Sequence, residues 1–160
     1  MPGRHEEAAL DEASRLIDTW ARAQLEENPA VLAVEHEAAE RRWLVRMAGE
    51  DKAFITLWFT LRERTLHHEA GFIPAPEENH QEVYEYLMRV NARLYGMAFA
   101  IGLEDAVYLR GQVPIDWLSE DELDRVLGST WQWCERYFRT AMSMAYATKY
   151  RPPGFDVHAK

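Results

Sequence analysis

The chain has 160 residues, of which 18 are basic and 27 acidic, and it carries a net charge of −9. This length fits one domain with one core. The acidic balance repels a phosphate backbone and no basic stripe interrupts it, so nucleic acid is a poor partner. No apolar run approaches the ~20 residues of a membrane span, and the N-terminal residues lack the apolar stretch of a signal peptide. With the single cysteine, Cys134, the composition predicts a cytoplasmic protein that binds neither nucleic acid nor membrane.

The first half of the chain predicts a helix followed by a strand meander. Apolar residues recur at helical spacing over residues 6–27, which predicts an amphipathic helix that ends at Asn28-Pro29. Residues 31–35 alternate weakly and are consistent with a short edge strand. A strand around Trp43, a central strand over residues 53–61 and a strand over residues 65–73 follow.

The central strand is apolar on both sides of its alternation. Phe54 and Trp58 share one side, while Ile55, Leu57 and Phe59 share the other. This pattern is typical of a strand that is buried on both faces. Since truncating a buried tryptophan costs about 3 to 5 kcal/mol, we expect Trp58→Ala to be severely destabilising.

The second half predicts a helix, a hairpin and a long helix. Asn79 and Glu82 have the spacing of a capping box that opens a helix over residues 80–95, and Gly96 provides its stop. Two short strands, residues 97–101 and 106–113, form a hairpin. Ser119 and Glu122 open a last helix that meets no breaker before Pro152 and could run about 45 Å.

These elements define an α+β domain over residues 1–150, with a mobile tail over residues 151–160. The expected order is α-β(3–4)-α-β2-α, in which a three- or four-stranded antiparallel meander and a hairpin pack with three helices.

Five segments carry a resemblance to a known family. They are Thr65-Leu66-His67-His68-Glu69, Pro74-Ala75-Pro76-Glu77-Glu78-Asn79, Asn91-Ala92-Arg93-Leu94-Tyr95-Gly96, Asp105-Ala106-Val107-Tyr108-Leu109 and Ala145-Tyr146-Ala147-Thr148-Lys149-Tyr150. Together with the meander from Trp43, these runs resemble the actinobacterial branch of the YbjN family over residues 42–150. The resemblance implies a fold similar to type III secretion chaperones, small acidic homodimers that bind extended segments of client proteins. It implies no assigned enzymatic activity, and it carries over no client-binding motif.

One histidine cluster is a candidate metal site. On a strand, His67 and Glu69 share a face and His68 points away, so two ligands could combine with His36 or His80 as a third. The alternative is an ordinary solvated strand face, because this spacing has little discriminating power.

The remaining reactive side chains have structural interpretations. Glu77, Glu78, Glu82 and Glu85 could hold a cation or complement the positive end of a helix dipole, and Cys134 lies on an apolar stripe where a thiol is inert. The chain has no glycine-rich phosphate loop and no nucleophile elbow. We therefore predict no enzyme and no cofactor.

Two hypotheses for function remain. The first is a chaperone-like or regulatory adaptor module, a homodimer that binds an unknown protein client. Its candidate contact residues are the second apolar line of the last helix and the outer side of the middle helix: Trp133, Tyr137, Met144, Tyr86, Met88 and Val90. The second is a metal- or small-ligand-dependent sensor or small enzyme that uses His67, Glu69 and another histidine.

Overall fold

A computed structural model describes residues 2–152. Residues 153–160, most of the predicted tail, lie outside the described part. Three α-helices and six strands follow one another as α1 (Pro2–Glu27), β1 (Val31–Glu37), β2 (Arg42–Ala48), β3 (Phe54–Leu61), β4 (Thr65–Ile73), α2 (His80–Asn91), β5 (Met97–Ile101), β6 (Val107–Pro114) and α3 (Glu120–Ala145). This order confirms the predicted α+β class, and the meander has four strands because residues 31–37 form β1.

The strands form one antiparallel sheet in the order β1-β2-β3-β4-β6-β5. The predicted hairpin joins the meander through β6, so its first strand, β5, becomes an edge. The other edge is β1. After β4 the chain passes through a loop that contains Pro74 and Pro76 and then through α2. It reaches the far edge of the sheet beyond β6, where β5 begins.

The helices pack side by side against one face of the sheet. The α3 helix lies between the other two and contacts β3 and β4, while α1 covers β1 and β2 and α2 lies against β5. Aromatic contacts mark these seams: Trp20 meets Phe59 at a ring distance of 5.7 Å, and Tyr86 meets Tyr137 at 6.3 Å. The Trp20 indole also donates to the Asp124 carboxylate at 2.8 Å, which links α1 to α3.

Alternation along the strands places the core on the helix-covered face. Buried residues on that side include Trp43, Ile55, Phe59, Phe72 and Leu109. The opposite face is covered by no helix of residues 2–152, and we call it the open face.

The central position of this strand is confirmed, since β3 lies between β2 and β4, but its burial on both faces was a wrong prediction. Ile55, Leu57 and Phe59 are fully buried, but Phe54 is 55% exposed and Trp58 is half-buried on the open face. The tryptophan that fills the core is Trp43 on β2, at 0% exposure. A loss of about 3 to 5 kcal/mol in the free energy of unfolding applies to truncation of a buried ring. We therefore expect it for Trp43→Ala and a smaller loss for Trp58→Ala.

The capping box at Asn79 was also wrong. Asn79 has left-handed backbone angles, φ 52° and ψ 42°, and its side chain accepts no hydrogen bond from the first turn of α2. Its amide Nδ2 donates instead to the carbonyl of Met144 at 2.9 Å. At the start of α3 the cap is present, because the Ser119 hydroxyl accepts from the Glu122 amide at 3.1 Å.

The predicted helix ends lie too far along the chain. The α2 helix ends at Asn91, and Gly96 supplies a left-handed turn with φ 72° four residues after Ala92. The α3 helix has 26 residues and is about 39 Å long at 1.5 Å per residue. It ends at Ala145, where a loop caps it, well before Pro152. None of the described helices combines the length and the hydropathy that crossing a bilayer requires.

Candidate binding surfaces of the sheet

The structure separates the four predicted metal ligands. His67 and Glu69 lie on the open face, as expected, and the Glu69 carboxylate contacts Arg110 at 3.4 Å. His36 stacks on Trp43 at 4.6 Å and lies 3.4 Å from Asp18 of α1, so it faces the helices. His80 begins α2, away from both. Over residues 2–152 no group of three or more His, Cys, Asp or Glu side chains is arranged to hold a metal ion.

The strand register arranges the open face in rows that run across the sheet. One row places Arg42, Thr60, His67 and Gln112 side by side on β2, β3, β4 and β6. The next row places Leu44, Trp58, Glu69 and Arg110 on the same four strands. Because alternate residues of a strand share a face, the charged and aromatic side chains of both rows project from the open face.

These rows line a depression of about 780 Å³, which we call the trough. Gly71 and Tyr108, paired across β4 and β6, lie at one end, and Arg62 and Glu40 lie at the other. Its central side chains are Arg42, Trp58, His67, Glu69 and Arg110. The volume is within the range of small-molecule sites.

Arginines and aromatic rings are paired on the open face, and one of these pairs, Arg42 with Trp58, lines the trough. The Arg42 guanidinium lies 4.4 Å above the Trp58 ring, and the Arg46 guanidinium lies 5.9 Å from the Phe54 ring. Burial lowers the pKa of His67, and the guanidinium groups of Arg62 and Arg110 lower it further. Two of the trough arginines therefore lie close enough to His67 to disfavour its protonated form.

His68 lies on the opposite side of β4 and is 2% exposed. Burial lowers its pKa to about 4, with a further contribution from the Arg125 guanidinium. Its two ring nitrogens are buried and have no hydrogen-bond partner within residues 2–152. The imidazole is therefore neutral, and it packs directly over Gly111 of β6.

An apolar groove follows the β5 edge. Tyr84, Leu87 and Met88 of α2 and Phe99 and Ile101 of β5 line a cavity of about 270 Å³. Met88 is 74% exposed and Ile101 53% exposed. Within the described part of the chain β5 pairs with β6 alone. On its outer side the Asn91 side chain accepts from the Phe99 amide at 2.7 Å and donates to the Phe99 carbonyl at 3.0 Å. We call this surface the β5–α2 face.

The β1 edge also carries exposed apolar residues. Leu32 on β1 is 49% exposed and Leu25 near the end of α1 is 46% exposed. In the described sheet β1 pairs with β2 alone. Charged side chains surround this edge, including Glu35 and Glu37.

The predicted contact residues are divided between core and surface. Val90 is 3% exposed and Tyr137 7% exposed, so both pack within the chain and neither offers a partner much surface. Their burial arises because α2 packs against α3, which covers part of the second apolar line. Trp133, Met144 and Tyr86 are partly buried against the core, and Met88 is exposed.

The acidic cluster lies where the loop before α2 meets the end of α3. Glu77 forms an ion pair with Lys149 at 2.6 Å, and Glu78 accepts hydrogen bonds from Thr148. The Thr148 hydroxyl is the main cause of a lowered Glu78 pKa. Cys134 is fully buried, and burial raises the pKa of its thiol to about 12.

The open antiparallel sheet with three helices on one face defines an α+β fold like that of type III secretion chaperones. Two solved structures share this fold. A chain of the HopA1–SchA chaperone–effector complex matches with a TM-score of 0.53 and 17% identity, over 79% of this chain and 91% of that chain. A chain of the ExsC–ExsE complex matches with a TM-score of 0.54 and 16% identity, over 81% and 92% of the two chains.

The chain belongs to the YbjN family, because residues 24–141 match the family model described as "Putative bacterial sensory transduction regulator". An uncharacterized protein of Mycobacterium tuberculosis is 32% identical over 103 residues, which are 64% of this chain and 56% of the relative. A Mycobacterium leprae protein is 30% identical over 105 residues, 66% and 57% of the two chains. The chain thus spans about half the length of the curated relatives it matches.

Sequence reasoning found His67 and Glu69 but missed the arginines that surround them. Arg42 and Arg110 are 68 positions apart, and only the pairing of β4 with β6 brings them to one surface. Alternation of Tyr108, Arg110 and Gln112 with the apolar residues of β6 was the available signal. It indicated the face on which each residue lies, but it did not indicate the neighbouring strand.

Proposed function

We propose that this protein is a non-catalytic, chaperone-like or adaptor module that works as a homodimer and binds an extended segment of a client protein. The observation that carries the proposal is the open sheet, in which each free edge adjoins exposed apolar side chains. A free strand edge presents a row of unpaired N–H and C=O groups, and a polypeptide is the ligand whose own backbone satisfies them. The fold shared with a chaperone–effector complex supports this choice.

The β5–α2 face is the proposed contact between two copies. Because the Asn91 side chain occupies the outward amide and carbonyl of Phe99, this contact is proposed to form by apolar packing across a two-fold axis and not by strand pairing. Met88 and Ile101 of each copy would then be withdrawn from water together. At about 25 cal/mol per Å² of apolar area, such burial favours association.

The β1 edge is the proposed client site. Leu25 and Leu32 provide apolar anchors, and the surrounding charges favour a reversible and selective contact over a permanent one. An extended segment that pairs with β1 would place alternate side chains beside these two leucines.

Size-exclusion chromatography with light scattering tests the dimer. We expect twice the chain mass for the unchanged protein, and we expect Met88→Glu to give a monomer, because it places a carboxylate in an apolar contact. Gln132→Glu adds the same charge at an exposed position of α3 and is expected to leave the dimer intact. A monomeric unchanged protein, or a dimeric Met88→Glu variant, would contradict the assignment of this face.

Differential capture from the native cytosol tests the client site. Proteins bound by the unchanged chain are identified by mass spectrometry, and we expect Leu32→Lys to lose them because a lysine on an edge strand opposes strand addition. Phe54→Lys changes an exposed aromatic residue on another strand and serves as the control. If both variants retain or both lose the same proteins, the β1 edge is not the client site.

A further inference from the structure

The trough takes no part in the proposed protein contacts, which use the two edges of the sheet. It lies in the middle of the open face, across β2, β3, β4 and β6. Its chemistry also differs from that of the edges, since charged and aromatic groups line it where aliphatic groups line the edges.

The charge of the trough is opposite to that of the whole chain. Three guanidinium groups, those of Arg42, Arg62 and Arg110, line it together with the carboxylates of Glu40 and Glu69. The lining residues thus have an excess of one positive charge in a chain with a net charge of −9. A further carboxylate, that of Glu37, lies outside the lining at 3.7 Å from Arg42. Besides burial, the guanidinium groups of Arg62 and Arg110 lower the pKa of His67.

The arginines are arranged so that they can still donate hydrogen bonds. Stacking on Trp58 uses the flat side of the Arg42 guanidinium and leaves its N–H groups at the rim, where Nη1 lies 3.7 Å from the Glu37 carboxylate. Arg110 is held by Glu69 at 3.4 Å, with half of its side chain exposed. Planar guanidinium groups match the oxygens of phosphate in two-point contacts.

The trough also has space and aromatic walls. A methyl group built on Gly71 would meet no atom within 4 Å, so the sheet leaves open volume above this residue. Tyr108 stands beside it, and Trp58 lies one strand away. A flat ring can stack on such side chains.

We propose that the trough binds a small organic phosphate that carries a flat ring, the chemistry of a nucleotide. The phosphate is placed at Arg42, Arg62 and Arg110, and the ring at the Tyr108 end, above Gly71. A small anion responds mainly to charges within a Debye length of about 8 Å. For this reason the site is compatible with an overall charge that disfavours long polyanions.

Isothermal titration calorimetry with ATP, adenosine and inorganic tripolyphosphate, in magnesium-free buffer, tests the proposal. We expect ATP to bind about tenfold more tightly than either of its halves, because each half keeps one kind of contact. Equal affinities for tripolyphosphate and ATP would contradict the proposed contact with the adenine ring. No binding of ATP at millimolar concentration would overturn it.

Paired charge variants separate ligand contact from general structure. Arg110→Gln is expected to weaken ATP binding about tenfold through the loss of a charged hydrogen bond. Glu69→Gln is expected to strengthen it, since a competing carboxylate is removed. A purely structural role of the Arg110–Glu69 pair would weaken binding in both variants, and that result would contradict direct contact.

Gly71→Leu provides a steric test. The added side chain fills open volume, so the fold is expected to remain intact by thermal melting while ATP binding is lost. Arg89→Gln, which removes an exposed arginine of α2, is the control and should bind ATP normally. Unchanged binding in Gly71→Leu would place the ligand elsewhere.

Two further measurements distinguish this proposal from the protein-binding function. The Met88→Glu variant should bind ATP as the unchanged protein does, since the β5–α2 face is separate from the trough. A glutamate-rich peptide should fail to displace ATP. Displacement by the peptide, with tighter binding than ATP, would identify the trough as a site for an acidic protein segment and overturn the nucleotide proposal.

Discussion

Gly111 and Gly71 lie on the neighbouring strands β6 and β4 but face opposite sides of the sheet. A Cβ atom on Gly111 would lie 2.3 Å from the Gly96 carbonyl oxygen and 2.7 Å from the His68 ring. A Cβ atom on Gly71 would meet nothing within 4 Å. The two glycines therefore have different reasons to lack a side chain: one makes room for a buried imidazole, and the other leaves a surface depression open.

Alanine substitution separates these reasons. Gly111→Ala is expected to lower the free energy of unfolding by about 2 kcal/mol or more, because the backbone carbonyl cannot move aside cheaply. Gly71→Ala is expected to raise it by roughly 0.5 kcal/mol, since alanine loses less backbone entropy in a strand. Urea denaturation of the two variants measures both changes, and similar losses in the two would contradict this account.

His68 makes the fold sensitive to acid. Because its pKa falls from 6.5 to about 4 on folding, the folded state keeps the imidazole neutral where the unfolded chain takes up a proton. Stability is therefore complete above pH 6.5 and decreases as the pH falls towards 4. The shift corresponds to roughly 3 kcal/mol at most.

The variant His68→Leu isolates this effect, since leucine has a comparable size and does not titrate. Carboxylates with lowered pKa values, Glu78 and Glu122, also lose stabilising interactions as the pH falls. We expect thermal melting of the unchanged protein to decline between pH 6.5 and 4 more steeply than melting of His68→Leu. Parallel declines would exclude His68 as a source of acid sensitivity.

At the scale of elements, strands were more predictable than caps. Alternation along 31–37 and 65–73 is local, because each side chain's face depends on its own position in the strand. The partner of Asn79 is the carbonyl of Met144, 65 positions later. A capping motif of four residues carries no information about that contact, so the sequence favoured a local explanation that the tertiary structure replaced.

Asn79→Asp distinguishes the two explanations. Aspartate is as good an N-cap as asparagine, so a capping role predicts no loss of stability. In the structure, aspartate loses the Nδ2 donor and places a carboxylate beside the Met144 carbonyl. We therefore expect a loss of about 1 kcal/mol in the free energy of unfolding, measured by chemical denaturation.

At the scale of the whole molecule, the sequence supplied the α+β class and both hairpin and meander, but not the strand order. The trough depends on β6 lying beside β4, and no local pattern specifies which edge of the meander the hairpin joins. The net charge of −9 gave no sign of the local cluster of arginines, because a net charge is a sum over the whole surface. The net charge predicts poor binding of long polyanions, and it carries no information about a small one.

Salt is expected to act in opposite directions on the two proposed interactions. Two copies with a charge of −9 each repel one another, so raising ionic strength from about 50 to about 500 mM should tighten the dimer through screening. The same change should weaken ATP binding, which depends on attraction to guanidinium groups. Sedimentation and calorimetry across this range measure the two trends, and a common direction would contradict the assigned electrostatics.

The loop over residues 74–79 determines where the chain tolerates change. It is proline-rich and partly exposed, features that usually mark a permissive place for an inserted tag or domain. Yet the amides of Glu77 and Glu78 donate to the Ala145 carbonyl at 3.1 and 3.0 Å, and the Tyr146 hydroxyl donates to the Ala75 carbonyl. An insertion there would break these hydrogen bonds to the end of α3, which lies 65 or more residues further along the chain. An inserted tag or domain in this loop is therefore expected to destabilise the protein as a change at the end of α3 would.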